Sequence, residues 1–270
     1  MLWFCRRTGI GYGNRKASGR ISLLPPIQFE FRELREEIDA ISALARDFVT
    51  PGSDRVFGEM KASLATIQSS RGSRVVPWMI REEFPLRTIA SEGEYERGRR
   101  GRYSVFAELT SVWEIRPIKP PKKAMLPKGF ALDGKASTRI RLIQKDDERE
   151  LAMWRLEIGD DASPGCHFHT QVLGQTEAVP FPKALSVPRL PFFLATPTVA
   201  LEYVLGELFQ DRWEREGLRE GDELQVWRRI QSKRLGRLLA WQSQELTKPS
   251  GLGSPWIRLK KLKPEAALFL

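Results

Sequence analysis

Three observations on the amino-acid sequence predict an α+β fold. Apolar residues recur at steps of three and four over residues 31–67, alternation along strands takes over between residues 103 and 172, and helical periodicity returns after residue 196. Blocks segregated in this way build an antiparallel sheet with helices beside it. They exclude a doubly wound parallel sheet, in which strands and helices alternate along the chain. At 270 residues and 41% hydrophobic content, with eight tryptophans, the chain is long and apolar enough to close a core.

The elements follow in order. Residues 1–24 read as a basic flexible arm: the first twenty carry five cations and no carboxylate, and the apolar start is too short for a signal core. "GIGYGN" at 9–14 has glycine spacing reminiscent of a dinucleotide turn, but it follows no strand and opens no helix. Residues 25–72 read as a helical hairpin. Phe31, Leu34, Ile38, Ile41, Ala45 and Phe48 fall on one stripe, "TPGSD" at 50–54 breaks it, and Val56, Met60, Leu64 and Ile67 restart it. With fewer than three heptads, the stripe fits packing on its own domain better than a coiled-coil arm.

Residues 73–190 read as an antiparallel sheet region with basic loops. "VVPWMIREEFP" places Trp78 in a proline-bounded segment, taken as a covered loop aromatic. Arg97, Arg99, Arg100 and Arg102 crowd six positions punctuated by glycine, the signature of an exposed loop. "YSVFAELTSVWEI" at 103–115 has the β-branched and aromatic content of a strand, and "RPIKPPKKAMLPKG" at 116–129 reads as a stiff loop carrying Lys122 and Lys123. A meander follows: "STRIRLI", the polar turn "KDDER", "LAMWRLEI", the turn "GDDASPG", and a third strand through "HFHTQV".

Residues 191–270 read as a C-terminal helical pair packed on the sheet. Thr196 is placed to cap a helix with Pro197 in its first turn, reaching towards Gly217; Asp222 and Gln225 suit a capping box for a second helix running to about Leu246. On that helix Trp227, Leu235, Leu238, Leu239 and Leu246 are expected on the buried arc. Arg229, Lys233 and Arg237 step by four along the other side.

Charge points to the partner. Forty-four Lys and Arg against thirty-four Asp and Glu leave +10, a field that attracts polyanions and makes nucleic acid the expected ligand. Two cysteines, Cys5 and Cys166, are too few for a disulfide framework and fit a reducing, cytoplasmic setting. No stretch has the roughly 20 apolar residues of a membrane span.

Both histidines, His167 and His169, stand two apart in the third meander strand. Strand alternation puts them on one face with Gln171, Arg139, Arg141, Arg155 and Glu157, opposite to Phe168 and Val172. Guanidinium forks on such a face bind phosphate oxygens in pairs, and the same face serves equally as the wet side of a half-buried sheet. Nucleic-acid contact is therefore expected from Arg97, Arg99, Arg100, Arg102, Lys122, Lys123, Arg139, Arg141, Arg155, Arg229, Lys233 and Arg237. These contacts would be independent of base sequence, either alone or within a nucleoprotein assembly.

A second reading makes the protein a phosphodiester hydrolase, with His167 and His169 as acid and base beside Glu157, or as ligands of a divalent metal. The pair superficially resembles the HxH segment of cupins. Here seven residues stand between Gly159 and His167, and seven between His169 and Glu177, so the cupin spacing is not met. No cofactor is otherwise expected. A third reading is a protein-interaction subunit that docks through its hairpin and aromatic segments.

Overall fold

Alternation, periodicity and breakers divide the chain into the elements of a computed structural model, which describes residues 27–70, 74–95, 104–120, 125–159, 167–173, 189–191, 193–248 and 254–262. In order they are β1 (Gln28–Glu30), α1 (Phe31–Leu44), α2 (Gly52–Ser69), β2 (Val76–Ile80), β3 (Leu86–Arg87), β4 (Val105–Pro117), β5 (Gly129–Gln144) and β6 (Glu150–Ile158). Then come β7 (Phe168–Leu173), β8 (Arg189–Pro191), α3 (Pro197–Phe209), a π-helical turn (Trp213–Gly217), α4 (Asp222–Thr247) and α5 (Pro255–Lys261). The fold is α+β, with an eight-stranded sheet in the order β2-β4-β5-β6-β7-β8; β1 pairs with β5, and β3 with β4. Every pairing among these strands is antiparallel.

The helical hairpin forms where the stripes predict it. Leu34, Ile38, Ile41, Met60 and Leu64 are all buried, and antiparallel α1 and α2 are tied by Lys61–Asp39 and by Arg35 donating to Gln68 at 2.8 Å. One sheet face supplies the other half of the core, through Trp78, Leu86, Leu109, Trp113, Ala136, Ile140, Leu156 and Phe168. Trp78 Nε1 donates to the Met60 carbonyl at 3.1 Å and joins α2 to the sheet, while Trp241 of α4 meets Phe168 edge-on at 6.1 Å.

Several elements differ from expectation, each for a physical reason. Trp78 lies in strand β2, not in a loop; Pro77 is accommodated because β2 is an edge strand, where a missing N–H can face away from the ladder. The loop expected over 116–129 is shorter, since β4 runs to Pro117 and β5 begins at Gly129. The strand through 129–136 was hidden by Gly134, which has φ +130°. A Cβ there would stand 2.0 Å from Glu114 Oε2, and that carboxylate instead accepts the Lys135 N–H at 2.7 Å beside the bulge between Trp113 and Ile115.

Thr196 caps α3 as expected, accepting from Val199 N–H at 3.2 Å, with Pro197 in the first turn. The helix stops at Phe209, short of Gly217: Gln210 takes φ +42° and the chain then makes the π-turn. Asp222 is not the cap of α4. The helix begins at that residue after Gly221, with no side-chain cap. Its buried arc is Leu224, Trp227, Ile230, Arg234, Leu238 and Trp241, whereas Leu235 and Leu239 are exposed. An arginine occupies a core position of this arc because α1 presents buried carboxylates to it, a contact that helical periodicity cannot reveal.

Candidate functional site on the polar sheet face

Antiparallel register assembles the face opposite the core as three rungs. One runs Glu108–Arg141–Met153, the next Thr110–Arg139–Arg155–Gln171, and the third Val112–Ser137–Glu157–His169. The alternation in sequence therefore places Arg139, Arg141, Arg155, Glu157, His169 and Gln171 on one side of one sheet. His167 stands just ahead of β7; its carbonyl accepts the Gly159 N–H at 2.6 Å and its ring lies edge-on to Phe168 at 5.0 Å.

Besides Glu157, which alternation places here, Glu82, Glu108 and Glu150 reach the arginines of this face without having been assigned to it from the sequence. Arg141 donates to Glu150 at 2.7 Å and to Glu108 at 3.1 Å, and Glu108 also holds Arg87. Arg139 pairs with Glu82 at 2.8 Å, and Arg155 lies 3.4 Å from Glu157. Four guanidinium groups thus meet four carboxylates, and the face is less positive than its arginines alone suggest.

Glu157 is the most strongly perturbed of these groups. The neighbouring His169 imidazole, 3.6 Å from Oε2, together with the Ser137 hydroxyl donating at 2.9 Å and the Arg155 guanidinium, outweighs burial and holds the carboxyl down at about 2. His169 is only 3% exposed. As a group of acid–base chemistry it has a carboxylate to orient it but little open surface through which to meet a large substrate.

The accessible part of the face is a groove of about 520 Å³ beside β2. Arg139, Arg155, Ser137 and Thr110 form its floor, Lys135 stands at one margin, and the β2–β3 turn with Arg81, Glu82 and Glu83 forms a wall. Arg139 and Arg155 are direct cross-strand partners. Like charges so placed repel, which marks the rung as one that an added anion stabilises. Glu82 on the β2–β3 turn is the residue that sequence reasoning missed, because no local signal connects residue 82 to residue 139.

The ridge on α4 is occupied differently. Arg229 donates to Glu36 at 2.9 Å, Lys233 is paired with Glu33, and Arg234 is buried against Glu37 and, at 3.3 Å, Glu33. Arg229 and Lys233 therefore tie α4 to α1 in place of forming a bare cationic stripe; Arg237 is exposed on the same helix. Arg97, Arg99, Arg100, Arg102, Lys122 and Lys123 lie outside the described residues, as do the basic arm and the tail after Leu262.

Among the described residues no group of three or more His, Cys, Asp or Glu side chains is arranged to hold a metal ion. No helix among them is long and apolar enough to cross a membrane. Comparison with protein-family models, with curated proteins and with solved structures returns no match for this chain.

Proposed function

We propose that this protein binds nucleic acid through phosphate contacts that ignore base sequence, alone or as a subunit of a nucleoprotein assembly in the cytoplasm. The observation that carries this reading is the cross-strand Arg139–Arg155 pair on the groove floor, with Lys135 and Arg81 at its margins. A phosphate between two opposed guanidinium groups converts their repulsion into paired, charge-assisted hydrogen bonds. The net charge of +10 adds long-range attraction for the same ligand.

The test is binding of labelled RNA and DNA oligonucleotides by fluorescence anisotropy between about 50 and 200 mM salt. Affinity should fall steeply with salt, because each neutralised phosphate releases counterions. Substituting both Arg139 and Arg155 by Gln should weaken binding on all sequences alike and lower the salt slope by about 1 for each arginine–phosphate pair removed. A flat salt response overturns the proposal.

One observation favours the hydrolase reading as the alternative: Glu157 sits against His169 as an orienting carboxylate sits against a catalytic imidazole. Oligonucleotide cleavage that is lost in His169→Ala, with chelator sensitivity reporting any divalent metal, supports it. Cleavage unchanged by His167→Ala plus His169→Ala removes both residues from catalysis.

A further inference from the structure

Resting on the phosphate-binding reading of the groove, we infer that Glu82 is a built-in competitor for that site, occupying Arg139 until a phosphate displaces it. The donor geometry of the rung and the weak anchoring of Glu82 lead there.

Arg139 is held by Glu82 through Nη2 alone, at 2.8 Å, while its Nε is buried with no acceptor among the described residues. The Nε and Nη2 donors form the edge of a guanidinium that grips an oxyanion with two parallel bonds. The Glu82 pairing fills only half of that edge, and a phosphate, with several oxygens, fills both halves.

Glu82 is also poorly anchored. Its side chain is 72% exposed, on the short turn between β2 and β3, whereas Arg139 is fixed in a central strand and only 26% exposed. An exposed ion pair of this kind holds little free energy, so a dianionic or polyanionic ligand displaces it readily. Among the described residues the Arg155 guanidinium directly opposite Arg139 has only a 3.4 Å contact with Glu157 Oε1, an oxygen that already accepts from Ser137 at 2.9 Å. It therefore keeps donors for a ligand oxygen reaching across the rung. Displacement of Glu82 frees Arg139 beside Arg155, and the open groove passes from an internally neutralised state to an anion site.

The experiment measures affinity for a labelled RNA oligonucleotide, and the thermal shift produced by inorganic phosphate, in wild type, Glu82→Gln, Arg139→Gln and Asp146→Asn. The last lowers the negative charge by one unit at an exposed position of the β5–β6 turn, outside the groove, and so reports the effect of net charge alone. Glu82→Gln should tighten oligonucleotide binding by about two- to fivefold beyond Asp146→Asn, the range an exposed ion pair accounts for. Arg139→Gln should abolish the gain when combined with Glu82→Gln. If wild type binds RNA but Glu82→Gln gains no more than Asp146→Asn, the competitor role is overturned while the phosphate-binding groove stands. If only inorganic phosphate responds, and does so more strongly in Glu82→Gln, the competitor role stands and the nucleic-acid reading falls. No response to either ligand in any variant overturns both.

Discussion

Arg234→Met removes a buried cation from the junction of α1, α3 and α4 and tests what holds the C-terminal helix to the rest of the fold. Arg234 Nη1 donates to Glu37, Nε lies 3.3 Å from Glu33, and the guanidinium stacks 5.4 Å from the Phe29 ring. Glu37 has no exposed surface and accepts also from the Thr196 and Thr198 hydroxyl groups. Removing one partner of a buried pair leaves the other charge uncompensated, at a cost of about 3–5 kcal/mol. Two hydroxyl donors remain on Glu37 and methionine refills most of the volume, which places this substitution near the lower figure of about 3 kcal/mol. For a chain of this size that corresponds to a fall in Tm of about 6–12 °C.

The assay is urea unfolding followed by tryptophan fluorescence and far-UV circular dichroism. Urea is chosen because an ionic denaturant would screen the pair under test. Glu37→Gln in the Arg234→Met background should recover part of the stability, since an uncharged pair no longer buries a lone carboxylate. The coupling between the two sites should reach about 2 kcal/mol. A destabilisation below about 1 kcal/mol for Arg234→Met, or a coupling near zero, refutes the claim that this network anchors α4.

Three further outcomes follow from the same geometry. Gly134→Ala should destabilise by about 1–3 kcal/mol in a thermal melt, because a residue with a side chain must adopt φ +130° and displace Glu114 from the Lys135 N–H. Trp78→Phe should cost about 1–2 kcal/mol in urea, leaving the buried Met60 carbonyl without the indole donor while keeping the ring contact with Trp113. The third concerns acid: Glu157 has its pKa lowered to about 2 in the folded chain, so its contribution is fully present above the ordinary carboxylate value near 4.5 and fades as pH falls towards 2. Glu157→Gln should flatten the part of the pH–stability curve between those limits, and an identical acid limb in the variant would show that the carboxylate is not linked to folding.

Much of the polar face was legible in the sequence because strand geometry is local. A period of two over "STRIRLI", "LAMWRLEI" and "HFHTQV" is enough to put Arg139, Arg155, Glu157, His169 and Gln171 on one side once the strands pair, and the observed rungs keep that parity. The α1–α2 hairpin and the Thr196 cap were legible for the same reason: helical stripes and caps depend on residues within a turn or two of one another.

Local patterns mislead where the deciding partner is remote. Periodicity puts Leu235 and Leu239 on the buried arc of α4, yet nothing within that helix indicates that Arg234 meets Glu33 and Glu37 about 200 positions away and turns the helix accordingly. Glu82 is invisible to local patterns on the same ground, lying 57 residues from Arg139. By itself, then, the amino-acid order determined the α1–α2 hairpin, the strands of the β5–β7 meander, the two C-terminal helices α3 and α4 and the sidedness of the sheet, since backbone sterics and hydrophobic periodicity act over a few residues. Only the tertiary structure decided which charges are neutralised and which face a groove, because Coulomb interactions are set by distance in space and by burial, and both arise when remote elements pack together.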